Sequence, residues 1–385
     1  MAQHPPIGII YHQDYNWVGG TYYIQNLIRS LLTLPAAEQP ELVIYSDSPA
    51  TVEKLASDTG FAQMRFHPSH AAYSLPERVI NKAGRMLLGK NLIEKSPELP
   101  TPLVFPNPMG SYFGALRRKV FWIPDFQHNR LPQFFQQEEI QQRDAWHRLP
   151  VDGNHPLVLS SEAAAADFRH FYPEASNPLY VIPFAVTLPP LGGIKEEDVV
   201  LNKFDAHRPF FLCSNQFWAH KNHPLVLDAL SRLRESHPDT LVLFTGKEYD
   251  YRNPDYTDQL KQRVADEGLG DMVRFLGFIG REEQLILMKR ALAVIQPSMF
   301  EGWSTVIEDA KALNQRVFAS ALDVNKEQLA SYPASLQAFF DIHDADALAA
   351  LMADATVQDD RPEYDYQKDI AAFGASFMNM VHDLV

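Results

Sequence analysis

The chain has 385 residues, of which 46% are apolar and 21% are charged, proportions typical of a folded globular protein. This length exceeds what one hydrophobic core usually supports, so we expect two domains. The net charge of −14 argues against nucleic acid as a main partner, because binding to phosphate backbones needs a basic face.

The cellular location is indicated by features that the sequence lacks. Cys213 is the only cysteine, which excludes an internal disulfide and favours a reducing compartment. It lies in an apolar run, so we interpret it as a buried side chain rather than a nucleophile. The chain does not begin with a basic stretch followed by an apolar one, and no apolar run reaches the roughly 20 residues that a membrane helix needs. We therefore expect a cytoplasmic protein.

Short apolar runs alternate with helical patterns in the first half of the chain. The runs predict buried strands at 7–11, 42–45, 103–105, 120–123, 157–159 and 180–182. Helical patterns lie near 20–34, 76–89, 134–147 and 162–171. The following segment, 189–208, is rich in proline, glycine and charge, which is typical of a linker.

The same alternation restarts after this segment. Strands are predicted at 210–213, 241–244, 273–276, 293–296 and 317–319, with helices near 224–233, 256–267, 281–291 and 304–313 and a last helix at about 365–385. Such alternation predicts an α/β fold of parallel sheets covered by helices on both faces. We expect two doubly wound, Rossmann-like domains at 1–190 and 205–364. Ligands then bind at the carboxyl ends of the strands, in a cleft between the domains.

The stretch 298–313 is the most informative part of the sequence. Glu301 precedes a glycine, and Ser304 and Thr305 open a predicted helix that carries a second acid, Asp309. The free N–H groups and the dipole at a helix start favour an anion. Carboxylates accept hydrogen bonds from sugar hydroxyls. The combination suits a phosphorylated sugar.

A glycine pair, Gly19-Gly20, follows the first predicted strand and precedes a helix. It would allow close approach of a phosphate to the backbone, and a plain turn is an equal alternative. No Gly-x-Gly-x-x-Gly follows this or any other strand, which argues against a dinucleotide-dependent oxidoreductase.

Segment 214–223 leaves a predicted strand and enters a helix, so Lys221 can point into the cleft. A lysine there would neutralise a diphosphate leaving group as negative charge grows on it, and a surface lysine is the alternative. His220 and His223 lie three residues apart, but no further ligand cluster supports a metal site.

Asp125 and His128 follow the predicted strand at 120–123. They would orient a hydroxyl of the acceptor or of the sugar, and the alternative is that they only cap the following loop.

The loop 276–280 also joins a strand to a helix. Its exposed backbone at Gly277 would pair with a nucleobase edge while Phe278 or Ile279 covers the ring, and a structural turn is the equal alternative. Asp344-Ala345-Asp346 has the Asp-x-Asp pattern of metal-dependent nucleotide-sugar enzymes, but an N-cap and a first-turn acid explain it better. We therefore predict no metal.

Residues 77–95 are locally basic within the acidic chain. Five basic side chains stand against Glu77 and Glu94, a net charge of +3, and apolar side chains accompany them. The pattern suggests peripheral contact with an anionic membrane, at its inner face, or with an anionic acceptor. A solvated helix face is the commoner alternative.

Together these segments resemble the retaining glycosyltransferases of family 4, which have the GT-B fold. The resemblance runs in order through nearly the whole chain: Gly19-Gly20, Asp125 to His128 with 131–135, 160–162 with Asp167, 220–222, 273–278, 296–298 and Glu301-Gly302. It implies that the last helix crosses back to pack on the first, acceptor-side domain and that the second domain binds the donor.

The resemblance also implies roles for single residues. Lys221 would bind the donor diphosphate and Glu301 the donor sugar, with Asp309 on the ribose. The catalytic residues are then Lys221, Glu301, His128 and Asp125, and the donor-binding residues are Gly19, Gly20, Asn215, Gln216, Gly277, Phe278, Ile279, Gly302, Trp303, Ser304, Thr305 and Asp309.

Three positions depart from the family pattern. Asp309 stands where the family usually has glutamate, and Glu308 lies about 100° around the helix, so we do not expect it to substitute. Gln216 replaces the usual phosphate-binding arginine, which leaves the diphosphate more dependent on Lys221. Pro124 replaces the histidine of a common His-Asp pair, so His128 is the candidate for that role.

These observations predict transfer of a hexose-type sugar from a nucleotide diphosphate sugar to an acceptor hydroxyl of a glycan, a lipid-linked compound or a small molecule. The resemblance implies retention at the anomeric carbon, without a metal or other cofactor. One alternative is a catalytically silent nucleotide-sugar-binding subunit, suggested by Gln216 and Asp309. Another is a GT-B sugar-nucleotide epimerase.

Overall fold

A computed structural model describes residues 5–12, 18–191, 194–357 and 360–385. The first half of the chain contains eight assigned strands within these ranges: Ile7–Ile10 (β1), Leu42–Ser46 (β2), Met64–Pro68 (β3), Leu103–Phe105 (β4), Arg118–Lys119 (β5), Phe121–Ile123 (β6), Leu157–Leu159 (β7) and Leu179–Val181 (β8). Its helices are Val18–Ser30 (α1), Pro49–Thr59 (α2), Leu75–Leu88 (α3), Gln127–Arg130 (α4), Gln137–Asp152 (α5) and Glu162–Phe171 (α6).

The strands of the first half pair in parallel in two sheets, with the orders β3-β2-β1-β4-β5 and β6-β7-β8. Only Val120 separates β5 from β6, and its N–H donates to the Val104 carbonyl at 3.1 Å. The chain therefore passes directly from one sheet into the other. The central strands β2 and β4 are buried along their whole length, and apart from Tyr45 and Ser46 they consist of aliphatic residues and phenylalanine.

The second half contains one parallel sheet with the order β11-β10-β9-β12-β13-β14. Its strands are Phe211–Ser214 (β9), Val242–Thr245 (β10), Val273–Phe275 (β11), Val294–Gln296 (β12), Val317–Ser320 (β13) and Gln337–Phe340 (β14). The helices are Ile194–Lys203 (α7), His223–Leu233 (α8), Tyr256–Asp266 (α9), Arg281–Arg290 (α10), Thr305–Ala312 (α11), Asp323–Leu329 (α12), Ala345–Ala353 (α13) and, at the end of the chain, Gln367–Leu384 (α14).

The strand order reverses between β9 and β12 in the second sheet and between β1 and β4 in the first. Crevices form at such switch points, outside the carboxyl ends of the strands, and they are where α/β sheets bind ligands. The fold thus provides two candidate binding edges, one in each half.

The last helix, α14, packs against the first half as the resemblance implied. Its apolar residues Ile370, Phe373 and Phe377 lie in the same core as β1 and α1. A Cβ atom at Gly374 would lie 2.6 Å from the Ser30 carbonyl oxygen, so glycine lets the two helices approach closely.

Three features of the chain differ from the sequence predictions. The helices α2 and α12 were not among the predicted helical patterns. The segment predicted as a linker contains α7, whose Val200 and Leu201 lie in a core of the second half. The edge strands β3 and β14 were not predicted, because partial exposure removes the continuous apolar run that marks a buried strand. The exact domain bounds stay a prediction. Among the described residues, no helix has the length and apolar character that crossing a bilayer requires.

Candidate active site

The switch point of the second sheet carries a chain of polar side chains. Lys221 Nζ lies 2.6 Å from Glu301 Oε1, and Gln296 Nε2 donates to the same oxygen at 2.6 Å. Asn215 Nδ2 in turn donates to Gln296 Oε1 at 3.0 Å. Asn215 directly follows β9 and Gln296 ends β12, so the two strands that border the switch point position the pair.

Glu301 is oriented with one carboxylate oxygen available. Both contacts above use Oε1, and in the part of the chain that the structure describes Oε2 accepts no hydrogen bond. The side chains of Glu301 and Lys221 are 9% and 16% exposed, so they are largely shielded but reachable. Gln296 was not predicted as a site residue. The signal for it was a polar amide at the end of the apolar run 293–296.

The start of α11 lies beside this pair and offers two backbone donors. Ser304 N–H donates to Gln328 Oε1 at 3.1 Å, and Ile307 N–H donates to the N-cap oxygen of Ser304 at 3.3 Å. Within the described ranges the N–H groups of Thr305 and Val306 have no acceptor. An anion is favoured there by these donors and by the helix dipole.

Asp309 has a different partner from the ribose implied by the resemblance. Its carboxylate is fully buried, and both oxygens accept hydrogen bonds from the Arg281 guanidinium, one of them at 2.6 Å. Arg281 also lies over the ring of Tyr22 from the first half, 5.9 Å from its centroid. Asp309 thus forms a buried ion pair in the structure, and its contact with a ribose stays a prediction, whereas Arg281 is the group of this pair that reaches Tyr22 in the first half.

Glu308 is also enclosed by protein. It accepts hydrogen bonds from Gln328 Nε2 at 2.8 Å and from the hydroxyl of Tyr366, which precedes α14. Burial raises the pKa of its carboxyl. Glu308 thus joins α11 to the crossing helix instead of replacing the ribose ligand.

The loop at Gly302 is the closest approach between the halves at this site. A Cβ atom there would lie 2.2 Å from the Pro124 carbonyl oxygen and 3.0 Å from Asp125 Cβ. The Gly302 carbonyl accepts from Ser161 Oγ at 3.1 Å, and Trp303 Nε1 donates to the Phe184 carbonyl at 2.9 Å. Trp303, predicted to bind the donor, therefore bridges the two halves through its indole N–H.

Asp125 and His128 have different surroundings in the structure. Asp125 is partly exposed, and its Oδ1 accepts from the Gln127 N–H at 3.0 Å, which is the loop-capping alternative. His128 is 1% exposed, and its Nε2 lies 3.1 Å from Asp144 Oδ1. Burial lowers the pKa of this imidazole. The ring of His128 is thus buried in the structure, and the catalytic role predicted for it stays a prediction.

In the loop predicted to line the base, one large side chain is exposed. Gly277 has φ +67°, which favours glycine, and its carbonyl already accepts from the Gly246 N–H and from Thr245 Oγ1, both at 2.9 Å. Phe278 is 77% exposed, whereas Ile279 packs partly against the core. Phe278 is thus the residue of this loop that can cover a ring.

Gly246 is a second site residue that sequence reasoning missed. A Cβ atom there would lie 2.1 Å from the Asn215 carbonyl oxygen and 2.9 Å from the nitrogen of Gln216, whose side chain is half-buried. The signal for it was a glycine directly after the apolar run of β10. Gly246 lets the loop after β10 fit against the loop that leads to Lys221.

The glycine pair lies in the first turn of α1, where Gly19 is exposed and Gly20 is buried. Gly20 lines a cavity of about 450 Å³ at the carboxyl ends of β1, β3 and β4, together with Tyr11, Ser69, Asn107 and Trp122. Residues 13–17, which lead into the pair, lie outside the described residues.

No cluster of three or more His, Cys, Asp or Glu side chains suited to a metal occurs in the described ranges. His223 is buried and stacks on Phe217 at 4.6 Å, and its burial lowers its pKa to about 3. Asp344 accepts from the Ala347 N–H at 2.9 Å, which confirms its interpretation as an N-cap.

Sequence comparison assigns the half of the chain that carries Lys221, Glu301 and Asp309. The family profile of glycosyl transferases group 1 matches residues 194–370. This part of the chain is similar to the glycosyl transferases group 1 family. The O-antigen chain mannosyltransferase RfbU of Salmonella typhimurium is 31% identical over 120 residues, which are 31% of this chain. That match spans 32% of the relative's own length.

Comparison of structures extends to nearly the whole chain. Alr3699/HepE from Anabaena, solved in complex with UDP and glucose, has a TM-score of 0.62 and 15% identity over 97% of this chain and 95% of that one. Sucrose-phosphate synthase from Thermosynechococcus elongatus has a TM-score of 0.61 and 18% identity over 99% and 95%. At this identity the likeness concerns the fold alone, and it confirms the predicted GT-B architecture.

Proposed function

We propose that the protein is a glycosyltransferase that moves a hexose-type sugar from a nucleotide diphosphate sugar to a hydroxyl of a glycan acceptor. The observation that carries the proposal is the pair of Lys221 and Glu301 beside the start of α11, within the residues that the group 1 profile matches. Support for the substrates comes from the mannosyltransferase name of the relative and from the UDP and glucose bound to the Anabaena protein.

The donor diphosphate would lie between Lys221 Nζ and the N–H groups of Thr305 and Val306. A lysine and oriented backbone donors stabilise negative charge most where water is largely excluded. In this proposal they supply the charge neutralisation that a metal provides in other transferases, so the reaction is metal-independent. When the donor binds, the ammonium of Lys221 would leave Glu301 and contact a phosphate, so the position of this side chain would depend on the donor.

Glu301 would hold the donor sugar through its second carboxylate oxygen. Gln296 and Asn215 fix the carboxylate from the strand ends, so little ordering is left to occur when the sugar binds. Phe278 would cover the base, and Arg281 would lie near the ribose and the phosphates.

We infer that transfer retains the configuration at the anomeric carbon. The bond from that carbon to the phosphate oxygen breaks, the bond to the acceptor oxygen forms on the same face, and the acceptor proton moves to the departing phosphate oxygen. No side chain is then needed as a nucleophile, and the protein acts by positioning and by charge stabilisation. The acceptor would enter from the cavity lined by Gly20 and Trp122.

The test is turnover of a panel of nucleotide diphosphate sugars, compared between wild type and Lys221→Ala. Removal of this cation should lower kcat by about 10²- to 10³-fold with the fold intact. Lys289→Ala is the matched control, because Lys289 also pairs with a glutamate, Glu197, but at the end of α10 that leads to the amino end of β12, opposite the edge that carries Lys221. Near-normal turnover in Lys221→Ala would overturn the assignment.

The stereochemistry needs a separate measurement. Proton NMR of the product should show the donor's anomeric configuration in the new glycosidic bond. An inverted product would contradict retention, and a donor epimerised without transfer would identify the epimerase alternative. Tight donor binding without hydrolysis or transfer for any acceptor would identify a silent binding subunit.

A further inference from the structure

Helix α3 presents an apolar face to solvent. Six of its large apolar side chains are between 43% and 81% exposed: Leu75, Val79, Ile80, Met86, Leu87 and Leu88. None of them belongs to a hydrophobic core cluster of the described residues. A helix on the surface of a soluble domain normally buries such a face. Contiguous exposed apolar patches mark interaction sites.

The orientation of α3 is fixed from its opposite side. Asn81 is buried and bonds the segment that follows the helix, accepting from the Ile93 N–H at 2.7 Å and donating to the Ile93 carbonyl at 2.9 Å. A Cβ atom at Gly84 would lie 2.7 Å from Leu92 and from the Lys90 carbonyl. At 100° per residue, five of the six exposed apolar side chains lie at least 100° around the helix from Asn81, and only Leu88 lies on its side. The contacts of Asn81 and Gly84 with the segment after the helix therefore keep the apolar face turned toward solvent.

Positive charge borders the apolar face. Arg78 and Lys82 are exposed and lie along one edge of it, whereas Glu77, the only acid of the helix, pairs with Lys95 at 2.9 Å on the inner side. A basic helix is unusual on a chain with a net charge of −14. An apolar stripe edged by lysine and arginine complements the acyl boundary and the headgroups of an anionic bilayer.

We propose that α3 docks the protein on an anionic lipid surface, with the helix lying in the plane of the interface. Ser69 lines the cavity of the first half, and the loop after it leads into α3, so the helix begins within about 22 Å of the cavity. Docking thus holds the acceptor cavity next to the membrane. On the proposed function, which this step rests on, the acceptor is a sugar carried by a lipid anchor.

Co-sedimentation with vesicles tests the docking. The wild-type protein should bind phosphatidylcholine vesicles that contain phosphatidylglycerol. Val79→Glu with Met86→Glu should lower the partition coefficient at least about tenfold. The matched control, Leu149→Glu with Val199→Glu, removes two exposed apolar side chains and adds the same charge elsewhere, and should bind as wild type. Arg78→Gln with Lys82→Gln should weaken binding to the anionic vesicles and reduce its salt dependence.

Two outcomes would overturn the proposal. One is equal binding of the Val79→Glu/Met86→Glu variant and wild type. The other is no binding of the wild type to the anionic vesicles. A dimer in analytical ultracentrifugation that this variant abolishes would then assign the face to a second copy of the chain. Turnover of donor sugars in solution, measured in parallel, separates this result from failure of the proposed function, because docking is expected whether or not transfer occurs.

Discussion

The two sides of the cleft hold their polar side chains differently. In the second half, Lys221, Glu301 and Gln296 hold one another at the ends of adjacent strands. In the first half, His128 is packed inside and Asp125 caps its own loop, so neither is held toward the cleft by a comparable network. The proposed donor side is thus organised before a ligand arrives, and the proposed acceptor side is defined by a cavity and by the surface around it.

This difference follows from what each side is proposed to recognise. A diphosphate is bound by fixed positive charge, and sugar hydroxyls are bound by a carboxylate that is held in place. Strand ends and a helix start can supply these groups. An acceptor is recognised by shape, and loops on a rigid scaffold supply shape. Substitutions can test the buried ion pair of the second half, the contact between the halves, and a property that the two halves share.

The largest effect is expected for the ion pair under the donor side. Asp309→Leu leaves Arg281 without its buried partner and should lower the free energy of unfolding by about 3–5 kcal/mol. Arg281→Met combined with Asp309→Leu should recover most of this loss, since no unpaired charge then remains. Denaturant titration measures both.

A surface pair provides the control for that series. Asp58→Asn alters the contact with Lys54 at the end of α2, where both side chains are partly exposed, and should cost at most about 1 kcal/mol. A similar cost for Asp309→Leu would mean that the second half is not more tightly ordered than the surface.

The next effect concerns the contact between the halves at Gly302. Gly302→Ala places a Cβ atom against the Pro124 carbonyl, so the halves must separate at a cost of about 1–3 kcal/mol. Small-angle scattering should show a larger radius of gyration, and turnover should fall. Gly270→Ala is the control, because a Cβ atom there meets no atom within 4 Å. An unchanged radius and turnover in Gly302→Ala would show that the two halves do not meet there in solution.

The smallest effect is a pH dependence shared by both halves. Burial lowers the pKa of His147 in the first half and of His223 in the second to about 3. The unfolded chain binds these protons near pH 6.5, so between pH 6.5 and 3 it binds more protons than the folded chain, and stability falls as the pH falls. Each histidine contributes a slope of up to about 1.4 kcal/mol per pH unit.

His223→Phe keeps a ring against Phe217 and should remove one such contribution between pH 6.5 and 5. His237→Phe, which replaces an exposed histidine, should leave the wild-type slope. Equal slopes in His223→Phe and wild type would contradict the neutral buried state of this imidazole.

Much of the fold was predictable because the buried strands are continuous apolar runs. β9, β10 and β12 were found in this way, and the residues after them, Asn215 and Glu301, fell at the correct edge of the sheet. The edge strands β3 and β14 lack this signal, since half of their surroundings is solvent.

The site was less predictable where a partner came from a distant segment. Arg281 is 28 residues before Asp309 in sequence, and no local pattern indicates that it occupies both oxygens of that carboxylate. The burial of His128 depends on packing against Phe135 and His147, and its spacing from Asp125 carries no information about that. Likewise, the apolar residues of α3 were visible in the sequence, but only the contacts of Asn81 show that they face outward.

The central claim is that Lys221 binds the diphosphate of a nucleotide donor. Calorimetric titration with nucleoside diphosphates and the matching monophosphates measures this directly. The account predicts that wild type binds its preferred diphosphate at least about tenfold more tightly than the monophosphate, and that Lys221→Ala loses this difference while Lys289→Ala keeps it. An undiminished preference for the diphosphate in Lys221→Ala would contradict the account.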